Sequence, residues 1–367
     1  MTHPFHEIDT PALIVDLDVL DTNMARTQRL AERHGVGLRP HVKTHKSPWI
    51  ARRQIAAGAV GVTTAKLAEA EAMVAGGIED VLIAFPLVGE VKLRRLERLV
   101  HDAHRVSVSL DDLVVAEGLD RVGRRLGQQL PVYLEIDTGL GRVGVEPGEA
   151  ALRLAQGVAR MPGLAVAGVM THGGHVGAAQ TLEELGTMSR AEAEALVATA
   201  EVLRRNGIDV ATVSPGSTLA APYEAATSGV TEIRPGTYVF NDANTIARWS
   251  ATLEDCAAYV LATVVSRPVP GRAVVDAGTK SFGADARVDG VQSPGLVRGR
   301  DGVRLVRASE EHGVLEVDPD SSLAIGDRIA IVMNHVCPVV NLYDVMIGVR
   351  GDIVEREIPV VARGGRT

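Results

Sequence analysis

Short β-branched runs alternate with amphipathic helical stretches through the first two-thirds of this chain, and that alternation restricts the possible folds more than any other feature. The strand-like runs are Ala12–Asp18, Gly37–Thr44, Val60–Thr64, Val81–Phe85, Arg105–Leu110, Pro131–Asp137, Ala165–Thr171 and Val210–Ser214. Helical patterns lie between them, as at Asp21–His34, Lys66–Ala75, Val91–His104, Glu149–Arg160 and Thr181–Asn206. Gly76, Gly77 and Gly207 follow helical patterns, where left-handed or open backbone ends a helix. Eight strands, most of them trailed by a helix, over about 230 residues predict an α/β fold of the (β/α)8 TIM barrel type. A doubly wound open sheet alternates in the same way and is the competing reading.

After Gly236 the pattern changes. Val260–Val265, Arg272–Asp276, Gly302–Arg307, Val314–Val317, Arg328–Met333, Val345–Val349 and Ile358–Ala362 read as strands joined by turns such as Pro268-Val269-Pro270-Gly271. The expected organisation is therefore residues 1–11 as an N-terminal strand joining a β domain, 12–236 as the barrel and 237–367 as the all-β domain. Composition narrows the partners. Lys and Arg number 38 against 46 Asp and Glu, a net charge of −8, and aromatic residues make up 3%. That is a poor basis for gripping or stacking on nucleic acid. No apolar run reaches the roughly 18–20 residues of a membrane span. The first nine residues lack the basic-then-apolar layout of a signal peptide, and two cysteines make no disulfide framework. A soluble, cytoplasmic protein is expected, with no nucleic acid or membrane partner.

Four segments carry chemistry. Arg39-Pro40-His41-Val42-Lys43-Thr44-His45-Lys46 ends the second expected strand, and strand alternation sets His41, Lys43 and His45 on one face. Lys43 then lies at the C-terminal mouth of the barrel, where such barrels place their active sites. A desolvated lysine beside imidazoles suits a Schiff-base amine; a salt-bridged surface lysine is the bland alternative. Glu135-Ile136-Asp137-Thr138-Gly139-Leu140-Gly141-Arg142 puts a guanidinium into a Gly-rich loop. Ser214-Pro215-Gly216-Ser217-Thr218 and Arg234-Pro235-Gly236-Thr237 offer backbone N–H groups and the hydroxyls of Ser217 and Thr218 as a phosphate cradle. His172, in Met170-Thr171-His172, is placed to lie on a cofactor ring or to serve as a structural histidine. Lysine, cradle and the two arginines Arg142 and Arg234 jointly describe a pyridoxal phosphate (PLP) site. In the β domain, Asn334-His335-Val336-Cys337-Pro338 on a strand converges an imidazole and a thiolate, a pair suited to Zn²⁺ with open positions left for water or substrate. The cluster Ser309-Glu310-Glu311-His312 reads as a solvated turn or an outer partner of that metal.

These motifs together resemble the fold-type III PLP enzymes, and within them the D-threonine aldolase and eukaryotic-type D-serine dehydratase family, which share an alanine racemase-like barrel. The resemblance rests on R-P-H-V-K-T-H-K at 39–46, D-T-G-x-x-R-x-G at 137–144, M-T-H at 170–172, E-I-R-P-G-T-Y at 232–238 and H-V-C-P-V-V-N-L-Y-D at 335–344, and spans nearly the whole chain. It implies Lys43 as the Schiff-base lysine, His172 stacked on the ring, Arg234 at the pyridine nitrogen and Arg142 near the phenolic oxygen. Ser217, Thr218, Gly236 and Thr237 complete the cofactor site, and His335 with Cys337 hold a divalent metal, Zn²⁺ first and Mn²⁺ or Mg²⁺ as the other candidates. It implies a homodimer as well. Aldolases of this kind commonly carry Asp where Cys337 stands, whereas dehydratases carry Cys. Dehydratases also have a tyrosine near the segment after His172, and here none lies between Tyr133 and Tyr223.

The expected function is a PLP- and metal-dependent lyase of small β-hydroxy-D-amino acids. Cys337 tilts the outcome toward dehydration to a keto acid and ammonia, with retro-aldol cleavage to glycine and an aldehyde as the alternative. An amino-acid racemase and a non-enzymatic PLP-binding protein are more distant readings.

Overall fold

The computed structural model describes residues 3–367; Met1 and Thr2 of the expected N-terminal strand lie outside the described residues. The chain divides into two units. One comprises Arg26–Lys43, Pro48–Gly236 and Gly365–Thr367; the other comprises the chain up to Ala25, Thr44–Ser47 and Thr237–Gly364.

The first unit is the barrel. Six strands form a continuous parallel ladder: Val62–Thr64, Asp80–Ile83, Arg105–Leu110, Leu130–Glu135, Leu164–Met170 and Thr212–Ser214. Two very short strands, Gly37–Leu38 and Glu232–Ile233, pair in parallel and join the ladder's ends. His41 bridges to Thr63 on one side. On the other, Thr231 N donates to Val213 O and Arg234 N to Pro215 O. Eight strands thus close a barrel, as the alternation predicts.

Its membership differs from expectation in one strand. Ala12–Asp16 is not a barrel strand; it runs antiparallel to Ala258–Val269 and parallel to Val345–Arg350 in the other unit. The eighth barrel place belongs to Glu232–Ile233. Two residues of strand followed by Arg-Pro-Gly carry no periodicity, so local pattern could not reveal it.

Helices pack around the outside because each presents an apolar stripe to the strands. Leu93, Leu96, Leu99 and Val100 of helix Glu90–Asp102 are buried, and Val115, Leu119 and Val122 of helix Leu113–Leu126 join the same core. Asp112 caps the second of these helices through Val114 N, and Gly127 ends it in the left-handed region. The barrel interior also holds a buried ion network. Arg39 Nε meets Glu232 Oε2 at 2.8 Å and its Nη1 meets Asp80 Oδ1 at 2.6 Å, while Ser214 Oγ donates to Glu232 Oε1. Gly61 makes this possible: a Cβ there would stand 2.2 Å from Arg39 Nη1. Removing one partner of such a buried network costs about 3–5 kcal/mol, so it pins the first and eighth strands together.

The second unit is built on a ten-stranded, mostly antiparallel sheet. His3–Pro4 pairs with Ile353–Pro359, and Arg328–Met333 lies between Ala258–Val269 and Gly295–Arg298. The last expected strand, Ile358–Ala362, is displaced toward the N-terminus: the observed strand is Ile353–Pro359, because a turn at Gly351-Asp352 sets its register against Val345–Arg350. Among the described residues no helix is long and apolar enough to cross a membrane.

Candidate active site

The barrel unit contains a cavity of about 260 Å³, lined in part by His41, Lys43, Lys66, Phe85, Glu135, Arg142, His172, Gly216 and Arg234. Lys43 reaches it from a single 3-10 turn, Val42–Thr44, and not from the expected strand, which ends at Leu38. The strand-face grouping therefore fails for His45. That side chain is buried in the other unit, where its Nδ1 accepts from Ser47 N. His41 does line the cavity, and the Lys43 backbone N–H points at its Nδ1, 3.4 Å away.

Electrostatics keep both cavity histidines neutral. Burial drives His41 well below the usual imidazole range, and the charges of Lys43, His172, Arg234 and Arg142 push it further down. His172 is lowered to about 3, chiefly by burial and then by Lys43. Its Nδ1 lies 2.7 Å from Gly216 O, a group that only accepts, so Nδ1 carries the proton and Nε2 keeps a lone pair. Glu135, at the end of its strand, is held above the usual carboxylate range by burial, with Arg234 opposing.

Arg234 is 4% exposed, and its guanidinium donates to Ser214 O, to Ser214 Oγ at 2.6 Å and to Thr171 O at 2.5 Å. Gly216 passes so close that a Cβ would meet Arg234 Cβ at 2.7 Å. The loops after the seventh and eighth strands converge for that reason. Ser217 Oγ accepts from Ala220 N, which fixes the hydroxyl and leaves its O–H to donate into a cradle. Gly236 ends the barrel unit; Thr237 belongs to the other, where its hydroxyl is 3.9 Å from Cys337 Sγ. A lysine lining the cavity, a neutral imidazole, a fixed guanidinium and two converging Gly-bearing loops fit PLP in size and charge.

Behind the His172 loop lie two buried acids that periodicity did not single out. Glu192 is 2% exposed and neither of its carboxyl oxygens accepts a hydrogen bond among the described residues. A Cβ at Gly173 would touch Glu192 Oε2, so the loop rests directly on this carboxyl. Burial raises Glu192 to about 7, with Arg234 opposing, and raises Glu224 well above the carboxylate range, where Glu192 adds to the effect. An acid whose folded pKa is raised loses stability as pH climbs from its unfolded value, near 4.5, through its folded value. Glu192→Gln is therefore expected to flatten the fall in stability between pH 5 and 8 by on the order of 2 kcal/mol. Chemical denaturation at several pH values measures it, and parallel wild-type and variant profiles would contradict it.

In the second unit, His335 caps a short helix, Val336–Val340, that places Cys337 on its first turn; the expected strand ends earlier, at Met333. The two side chains still meet, through helix-cap geometry in place of strand alternation. His335 Nδ1 is 2.8 Å from Asp285 Oδ2, so it donates there and leaves Nε2 for a cation. Asp242, itself buried, accepts from Val336 N and Thr245 N and fixes the helix start. Thr44, next in the chain after Lys43, sets its hydroxyl 3.2 Å from Cys337 Sγ. Although burial opposes it, Cys337, Asp242 and Asp285 together raise His335 to about 9. Groups that favour a proton on His335 favour a divalent cation in its place, so this donor set fits a metal. Among the described residues no third His, Cys, Asp or Glu completes a metal cluster. The Ser309–His312 segment is a solvated turn, with Glu311 paired to Lys280 at 2.6 Å. Cys256 is buried with its thiol pushed up to about 12, and neither cysteine is in a disulfide.

Comparison with known proteins agrees with these two units. A model of the alanine racemase N-terminal domain matches residues 15–244, and a serine dehydratase domain model matches 257–349. The chain belongs to the alanine racemase-like, fold-type III family of PLP enzymes. It is 37% identical to a D-threonine aldolase of Arthrobacter sp, covering 98% of this chain and 94% of the relative. It is 36% identical to a D-threo-3-hydroxyaspartate dehydratase of Delftia sp. strain HT23, over 90% of this chain and 91% of that one. A crystal structure of D-threonine aldolase from Filomicrobium marinum matches with TM-score 0.93 and 38% identity, covering 99% of this chain and 98% of the other. Structures of a D-threo-3-hydroxyaspartate dehydratase match with TM-scores 0.92 and 0.90 at 32% identity, covering 98% and 97% of this chain and 97% and 98% of those chains. They are variants in which a histidine or, two positions on, a cysteine becomes alanine, the latter in a metal-free form. This alanine racemase-like protein is a PLP-dependent lyase.

Proposed function

We propose that this lyase acts on β-hydroxy-D-amino acids with PLP and a divalent metal, and that its outcome is dehydration to a keto acid and ammonia. The single observation that carries the dehydratase reading is His335 beside Cys337. The dehydratase relative was studied through replacement of a histidine and a cysteine at that same spacing, with a metal-free form reported for the cysteine variant. Lys43 would anchor the cofactor covalently; Gly216, Ser217, Thr218, Gly236 and Thr237 would hold its phosphate, His172 would hold its ring, and Arg142 and Arg234 would hold its phenolic-oxygen and pyridine-nitrogen sides. Bound there, PLP supplies an electron sink that labilises bonds at the substrate Cα.

The chain's own groups do the rest. Lys43 Nζ would take the Cα proton from one face only, which would select one enantiomer. Arg234, locked by Ser214 and Thr171, presents a permanent charge that disfavours a second proton beside it. Neutral His172 adds no charge to an already cationic cavity. His335 and Cys337 would hold the divalent ion, which would supply Lewis-acid chemistry at the substrate β-hydroxyl. The relationship to D-threonine aldolases favours a second reading, in which the same polarisation lowers the hydroxyl pKa and the Cα–Cβ bond breaks.

Incubation of enzyme, PLP and Zn²⁺ or Mn²⁺ with D-serine, D-threonine, D-threo-3-hydroxyaspartate and D-phenylserine separates the two. Keto acid with ammonia is the expected result; glycine with aldehyde would replace dehydration by retro-aldol cleavage. Interconversion of L- and D-alanine would point instead to a racemase.

A further inference from the structure

One cation of the cavity that holds Lys43 has no part in the cofactor site proposed above. Lys43, Lys66, Arg142 and Arg234 line it, against one carboxylate, Glu135. Arg234 is consumed by Ser214 and Thr171. Lys66 is the unexplained cation. Its ammonium lies 3.3 Å from the centroid of the Phe85 ring, which also lines the cavity. It makes no ion pair with a carboxylate among the described residues; Glu69, the acid whose charge acts on it, accepts at Oε2 from Ala65 N at 2.7 Å.

Its position is unfavourable on two further counts. Lys66 is the N-cap of helix Leu67–Ala75 and provides no side-chain cap, so a cation sits at the positive end of a helix dipole. Lys92, on the neighbouring helix Glu90–Asp102, repels it as well. Burial and Lys92 both lower its affinity for a proton, and an arriving anion reverses that penalty. An aromatic face holds the ammonium in the cavity without neutralising it, which leaves the charge available to a ligand.

We propose that Lys66 binds an anionic group on the substrate's side chain, so that the enzyme prefers β-hydroxy-D-amino acids bearing a second carboxylate over D-serine or D-threonine. This rests on the lyase reading above and extends it to substrate class. The ammonium–carboxylate contact forms in a cavity partly screened from water, where a charge-assisted hydrogen bond is stronger than at the surface.

The test uses PLP- and metal-loaded enzyme. In Lys66→Met, kcat/KM for D-threo-3-hydroxyaspartate is expected to fall ~10–100-fold further than kcat/KM for D-threonine, mainly through KM. Lys66→Arg should retain the preference. A binding arm keeps the inference separate from turnover: calorimetric titration with D-malate and with D-lactate. D-malate should bind the wild type more tightly, and Lys66→Met should weaken D-malate at least ~10-fold more than D-lactate. Equal effects on the one-carboxylate and two-carboxylate ligands, or a wild type that does not favour D-malate, would overturn the role of Lys66. Absence of turnover for every amino acid while D-malate selectivity persists would overturn the lyase reading and leave Lys66 standing.

Discussion

Lys43→Ala, mixed with PLP, is expected to show no visible absorbance band of lysine-bound pyridoxal and to lose at least ~10³-fold in turnover. Two proposed roles converge on one atom. Lys43 Nζ would anchor the cofactor, and it would also be the base for the Cα proton. Neither cavity histidine can take over readily: His41 and His172 are both held neutral by burial among cations, and His172 already donates Nδ1–H to Gly216 O. Borohydride reduction of the wild-type holoenzyme followed by peptide mapping gives the decisive measurement. Label on the peptide carrying Lys43 supports the assignment. Label on Lys46 or Lys66, or a surviving band in the alanine variant, removes Lys43 from the role.

The second large effect concerns the metal. Exhaustive chelation is expected to reduce turnover by ~10²-fold or more, and Zn²⁺ or Mn²⁺ should restore it. His335→Ala should resist restoration at the concentrations that suffice for the wild type. Asp285 refines this expectation, because its Oδ2 lies 2.8 Å from His335 Nδ1 and sets which nitrogen faces the ion. Asp285→Ala should weaken metal affinity by ~10–100-fold while Asp285→Asn, which keeps an acceptor oxygen, loses less. Competition titration against a metallochromic dye reads affinity without reference to catalysis. Full turnover in metal-free protein would exclude His335 and Cys337 from the reaction. Normal metal affinity in Asp285→Ala would leave the ligands in place and remove the carboxylate's part.

Much of this was legible before any coordinates. Alternation of β-branched runs and amphipathic helices specifies a parallel barrel because each strand and each helix must bury one apolar face, and that requirement is written residue by residue. The lysine, the Gly-bearing loops, the two arginines and the His-x-Cys pair were visible because rare residue types sit beside glycines and strand ends. Reasons for their placement were less legible. Lys43 enters the cavity from a 3-10 turn, and Cys337 meets His335 on the first turn of a helix, so strand alternation grouped His41 with Lys43 and His335 with Cys337 by the wrong geometry and wrongly added His45.

Local order along the chain was thus enough to specify the alternation of strands and helices and the chemical inventory, since these depend on interactions between residues a few positions apart. Partnership across long separations was not. Ala12–Asp16 leaves the barrel for the antiparallel sheet, and the two-residue strand Glu232–Ile233 takes the vacant place, because Arg39, Asp80, Glu232 and Ser214 satisfy one another only in that register. Asp285 beside His335, Glu192 beneath the His172 loop and Lys66 over Phe85 belong to the same class. Each is an ordinary residue in its own segment, and acquires a role only when folding brings a distant charge, ring or backbone within a few ångströms and water is excluded around it.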